Sequence, residues 1–287
     1  MAVLTAHPFN QFKKNPRFYL MYDGFFFVLC SAVLVVMGAS GFRPLLGRPS
    51  WWWLLAFPAL VLVFNWAHVL IHNCTHGNLP KSINRLVGEV LGFMVVVRFA
   101  SWDIVHMRHH KYSDDQERDP HPNVVGFWKT VGHTAIHTEQ QLIQQYFDTW
   151  GDTPANRRFE RRRAYVSYGT NIFVFACYMW LLGPWFFFIV FLPAEVLSAL
   201  FIIHFNWATH NGERGTGAAD FRPVNLNRGY YALGNRLFFG IYMHGNHHRR
   251  PYLFNPMRWN EQEMGAAEAI IDGPVPAAAP VLQPVSS

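Results

Sequence analysis

Trp51–His76 reads WWWLLAFPALVLVFNWAHVLIHNCTH. From Trp51 to Phe64 the segment is apolar, and beyond it Asn65, His68, His72 and His76 enter without a helix breaker. About 20 residues at 1.5 Å each cross a hydrocarbon core of about 30 Å. The segment therefore predicts one helix that enters a membrane at Trp51, Trp52 and Trp53, where an aromatic belt sits. It leaves the far side carrying histidines. His72 and His76 are four apart and share one helix face.

The same pattern extends outward in both directions. Lys13, Lys14 and Arg17 precede an apolar stretch, Tyr19–Ser40, without a signal-peptide cleavage layout, so it reads as a retained first span. The turn-rich GFRPLLGRPS at 41–50 joins it to the second. Residues 86–99 are apolar but too few for a crossing, and predict a re-entrant or interfacial segment. Residues 100–164 are polar and include RRFERRR at 157–163. Between Tyr165 and His204 only Glu195 is charged, and LLGPW at 181–185 breaks the run into spans at about 166–182 and 185–205. The expected architecture is an all-α integral membrane protein with four transmembrane helices, one domain over 1–272 and a disordered tail over 273–287. Lys and Arg gather in the N-terminus, in 77–164 and after 210. By the positive-inside rule these regions, which form a helical cap, face the cytoplasm.

Bulk composition agrees. The chain has 287 residues, 51% hydrophobic and 15% charged, against about 25% charged in a typical soluble domain. Mean hydropathy is only +0.05, so very apolar segments alternate with very polar ones. The net charge of +6 sits beside apolar spans and reads as membrane-surface anchoring, not as a nucleic-acid footprint. Cys30, Cys74 and Cys177 form no CxxC pair and predict no disulfide framework.

Three histidine clusters carry the chemistry: HNCTH (His72, His76), HMRHH (His106, His109, His110) and HGNHH (His244, His247, His248). Positions i, i+3 and i+4 of a helix share a face, so each HxxHH presents three imidazoles to one place. The expected topology puts all three clusters at one membrane face. Eight converging imidazoles exceed the needs of one metal ion, so two ions are predicted. Imidazole suits Fe, Zn, Cu and Ni. HExxH and Glu-x-x-His are both missing, which disfavours a zincin protease and a carboxylate di-iron bundle. Zinc has no redox chemistry; an all-histidine pair at a membrane face suits iron and O2 better than hydrolysis, and a di-zinc hydrolase stays open at this point. A metal-binding transporter would hold its ligands near mid-membrane, whereas these clusters lie beyond the spans.

HNCTHGNL, HMRHHKYSDDQERDP and HGNHHRRP, with two spans between the second and third, resemble the three histidine boxes of the membrane fatty acid desaturase superfamily over roughly residues 50–256. The resemblance implies an enzyme with two Fe ions and O2 as co-substrate. It implies a fatty acyl desaturase first, and a hydroxylase or ketolase of an apolar molecule second. Substrate would be an acyl or lipid chain, electrons would come from a separate donor of ferredoxin, rubredoxin or cytochrome b5 type, and membrane lipids would surround the protein. NWATH at 206–210 matches a further family feature and makes His210 a ninth ligand. Asn206 would hold a metal-bound water or a helix-end hydrogen bond. His68, one turn before His72, supports the ligands from behind, as do Asp103 and Asp119, or else these acids belong to a solvated loop. His7, His121, His133 and His137 match no box and read as ordinary polar residues.

Overall fold

The long apolar stretches fold as helices, because a chain in hydrocarbon must satisfy its own backbone polar groups. The structure is a computed structural model and describes residues 7–44, 46 and 48–259, with the backbone alone for residues 18–25. Its helices are α1 (Pro8–Phe12), α2 (Phe18–Ala39), α3 (Trp53–Thr75), α4 (Asn84–Met94), α5 (Phe99–Tyr112), α6 (Phe127–Trp150), α7 (Pro154–Leu182), α8 (Pro184–Thr209), α9 (Tyr230–Leu237) and α10 (His244–Arg249). Among the described residues there is no strand, only an antiparallel bridge between Asn225 and Met243. The tail expected to be disordered, 273–287, lies outside the described residues.

Among the described residues three helices are long and apolar enough to cross a membrane: α3 with 23 residues, α7 with 29 and α8 with 26. They match three of the four expected spans. The span expected at 166–182 is the apolar end of α7, whose first turns hold the basic RRFERRR run. The span expected first is a 22-residue helix, α2. Its apolar part with described side chains, Phe26–Ala39, is shorter than a crossing. The short segment read as re-entrant is half of a bent pair: α4 and α5 meet at 106°, and together they count as a fourth candidate span.

The elbow has a local cause. Val96 takes φ +52°, a conformation that costs a β-branched residue energy. The Val97 amide closes the turn by donating to the Gly92 carbonyl at 2.8 Å. A Cβ on Gly92 would sit 2.3 Å from the Val97 oxygen, so the bend requires glycine there. Helix α8 has its own irregularity. Pro193 lacks an N–H, and the turn before it, Phe187–Phe191, is widened to the π form, as happens at functional helices.

Phe64, Ala67, Ile71 and Cys74 of α3 pack against Phe186, Phe187, Phe191 and Ala194 of α8. Phe12 of α1 fills the space between α5 and α6 beside Ile104 and Tyr146. Outward-facing Leu54, Leu55, Ile172 and Phe188 are more than half exposed, an apolar girdle that water disfavours and lipid does not. Buried polar groups tie the helices. The Ser198 hydroxyl of α8 donates to Asn65 Oδ1 of α3 at 2.7 Å. The Arg108 guanidinium of α5 donates to Gln141, Gln145 and Asp148 of α6 at 2.9, 3.0 and 2.7 Å.

Candidate metal centre

Four chain segments deliver the histidines. Helix α3 carries His72 in its last turn and ends with His76 as its C-cap. Helix α5 carries His106, His109 and His110, and α8 ends with His210 as its C-cap. The short α10 carries His244, His247 and His248. Local hydrogen bonds fix these ends. The Asn84 side chain donates to the Cys74 carbonyl at 2.8 Å, and the Asn78 side chain bridges Asn73 and the Pro251 carbonyl. The Asn225 and Asn246 side chains bond each other at 2.8 Å, and Asn225 Oδ1 also accepts the Asn246 amide at 2.9 Å. Six residues would not hold a helix alone; these contacts hold α10.

The nine histidines named from the sequence converge in two groups. His72, His76, His106, His110 and His247 form one; His109, His210, His244 and His248 form the other. Within each, one ligand nitrogen per ring lies within 4.8 Å of every other. The Nε2 atoms of His76 and His106 are 2.7 Å apart, those of His110 and His106 3.1 Å, and those of His248 and His244 3.1 Å. Nε2 of His72, His109 and His210 is buried with no hydrogen-bond partner. Neutral nitrogens gathered this closely, some with no donor, offer lone pairs that a cation between them would satisfy, and an all-imidazole donor set suits Fe as well as Zn. The residues therefore fit two metal ions.

The surroundings disfavour the protonated form of four of these imidazoles. Burial first, and then neighbouring imidazoles, hold His76, His244, His247 and His248 well below the ordinary histidine range. A ligand nitrogen must be free of its proton to bind metal.

Two rings are steered by acids. His109 Nδ1 donates to both oxygens of Asp119 at 2.9 and 3.0 Å. His210 Nδ1 donates to both oxygens of Asp114 at 3.0 and 2.9 Å. Such pairs fix the ring and leave Nε2 pointing inward. Asp119 thus contacts the ring of His109 in the second box. Among the described residues Asp103 makes no hydrogen bond to a box histidine. It accepts the Phe9 amide at 2.7 Å and faces His7 at 3.2 Å, anchoring α1. His68 lies outside both groups; its Nδ1 is 2.9 Å from the Phe64 carbonyl and 3.1 Å from Ser198 Oγ. The Asn206 side chain donates to the His121 carbonyl at 3.4 Å.

A cavity of about 200 Å³ opens beside the centre. Its floor holds His72 and His106 of one group and His109 and His244 of the other. Its walls include Ile71, Val97, Trp102, Ile202, Ile203 and Phe205, with Asn206 and His68. The centre thus faces an apolar pocket between α3, α5, α6 and α8.

His121 was missed by box matching. It is buried, lines the cavity, and its ring centroid lies 4.2 Å from that of His109. Its amide donates to Asp119 Oδ1 at 3.0 Å. The only local signal was its place two residues after Asp119. His133 and His137, whose rings meet at a tilt on α6 with centroids 4.6 Å apart, belong to neither group, and neither does His204.

Over 73 residues the chain is 36% identical to a protein named omega-3 fatty acid desaturase, endoplasmic reticulum, from Vigna radiata var. radiata. The aligned stretch covers 24% of this chain and 19% of that relative, so it spans about a fifth of the relative's length. No solved structure matches the chain. The family model for fatty acid desaturase matches residues 49–264, a range that includes all nine converging histidines, both acids behind them and the cavity walls. By that match the chain belongs to the fatty acid desaturase family.

Proposed function

We propose that the protein is an O2-dependent di-iron oxidoreductase that introduces a double bond into a long-chain fatty acyl group. The carrying observation is the convergence of nine histidines in two groups at the floor of an apolar cavity. Iron bound there supplies O2 activation and the removal of two hydrogens from an unactivated CH2–CH2 unit. The balance takes O2 to two waters, with two electrons from the substrate and two from a separate donor of ferredoxin, rubredoxin or cytochrome b5 type. His72, His76, His106, His110 and His247 hold one ion; His109, His210, His244 and His248 hold the other.

The remaining residues position and exclude. Asp114 and Asp119 hold the rings of His210 and His109. Ile71, Ile202, Ile203 and Phe205 receive the alkyl chain and keep bulk water from the reacting carbons. Asn206 sits at the cavity wall, where it can orient a water or a substrate oxygen. In this reading α2, α3, α7 and α8 span the bilayer as one domain, and the histidine-bearing ends form a cap on the cytoplasmic face.

The test is metal content of the detergent-purified chain, wild type against His109→Ala, with lipid profiling of expressing cells. About two irons per chain, fewer in the variant, together with new double bonds, is the expected result. Hydroxylated or oxo products would replace desaturation by the hydroxylase or ketolase reaction. Stoichiometric zinc, or no metal, would overturn the di-iron reading.

A further inference from the structure

The two groups of histidines differ in what stands behind them. In the four-histidine group, two rings of four are backed by carboxylates: His109 by Asp119 and His210 by Asp114. Both acids are largely buried. In the five-histidine group no ring is backed by a carboxylate among the described residues. Among the described residues the side-chain hydrogen bonds of His76, His106, His110 and His247 run only to other box imidazoles, and His106 Nδ1 is buried without a partner.

The acids are themselves built in. Asp119 accepts the Asp114 amide at 2.7 Å and the His121 amide at 3.0 Å. Asp114 adopts φ +64°, a left-handed conformation that Asp tolerates better than most residues, and also accepts the Ser113 hydroxyl at 3.0 Å. The segment after the second box is thus folded to bring two negative charges to one side of the centre only.

We propose that the two metal positions are inequivalent, and that the one formed by His109, His210, His244 and His248 binds a divalent ion more tightly and fills first. The inference rests on the reading of the centre as a two-ion site. Two effects favour the four-histidine position. An imidazole whose Nδ1–H is held by a carboxylate is fixed in tautomer and orientation and is a more basic donor; losing such a partner typically costs 10–100-fold in metal affinity. The two full negative charges also offset the buried dication, whereas five neutral rings leave its charge uncompensated. The fifth imidazole of the other group works the other way. It adds one neutral dipole, which does not match two anions in a low-dielectric interior.

The experiment titrates the metal-free full-length chain in detergent with Co(II), under anaerobic conditions, reading ligand-field absorption and heat. Two steps are expected, the first at least about tenfold tighter. His210→Ala should remove the first step and His247→Ala the second. Asp119→Asn and Asp114→Asn, near-isosteric, should each weaken the first step by about 10–100-fold and leave the second unchanged. Asp115→Asn lies in the same turn but pairs with exposed Arg118, and should alter neither. Two equal steps, the reverse assignment, or acid variants that weaken both steps alike or neither, would overturn the proposal. A wild-type chain that binds no Co(II) would overturn the two-ion reading and this inference with it.

Discussion

Ile203→Phe tests the cavity directly. Ile203 lies on α8 in the wall of the roughly 200 Å³ cavity whose floor is the histidine centre. The substitution adds about three carbons to that wall, and each substrate methylene it displaces forfeits about 0.8 kcal/mol of burial. Displacing two to three methylenes therefore costs about 2 kcal/mol, roughly 30-fold in affinity for a long chain. A chain short enough to stay clear of residue 203 should lose little. The assay compares kcat/KM across a series of acyl chain lengths for wild type and variant, with iron content measured on the same samples. The expected result is a selective loss for long chains at unchanged iron. An unchanged length profile at full iron content would refute the assignment of this cavity as the acyl site. An even loss at every length would show that residue 203 perturbs the centre instead.

Three further outcomes follow from the geometry. Gly92→Ala would press a Cβ against the Val97 carbonyl at the α4–α5 elbow. Overpacking of this kind costs about 1–3 kcal/mol, so the melting temperature in detergent should fall and iron content with it, since α5 carries the second box. Arg163→Met would leave Glu160 buried without its guanidinium; breaking such a pair costs about 3–5 kcal/mol, and a melting temperature equal to wild type would contradict the buried pairing. Acidification should destabilise the metal-free chain. The folded state holds His76, His244, His247 and His248 well below the ordinary value of 6.5, so below about pH 6.5 the unfolded chain takes up protons that the folded one refuses. Stability should fall as pH drops, by up to about 1.4 kcal/mol per pH unit for each such ring. A denaturation midpoint flat between pH 7 and 5 would count against burial of these imidazoles.

Several features were legible in the sequence because they are local or periodic. The candidate spans α3, α7 and α8 follow from uninterrupted apolar length, and the His72/His76, HMRHH and HGNHH clusters follow from helical spacing. The resemblance to known histidine boxes added His210 and named Asp119 among the acids that could stand behind the second box. The sequence alone thus determined a helical membrane protein and nine ring nitrogens suited to metal. Only the tertiary structure decided how those nine divide. His109 parts from His106 and His110, its neighbours on α5, and joins His210 and α10, because three residues on one helix face still point to different partners across the bundle. It also decided that Asp103 serves α1, that Asp114 serves His210, and that His121 closes on the cavity. Each of these contacts joins residues brought together by the fold of α5, the turn after it and the end of α8. Sequence spacing records period along one element, and says nothing of which neighbour a side chain meets when separate elements pack.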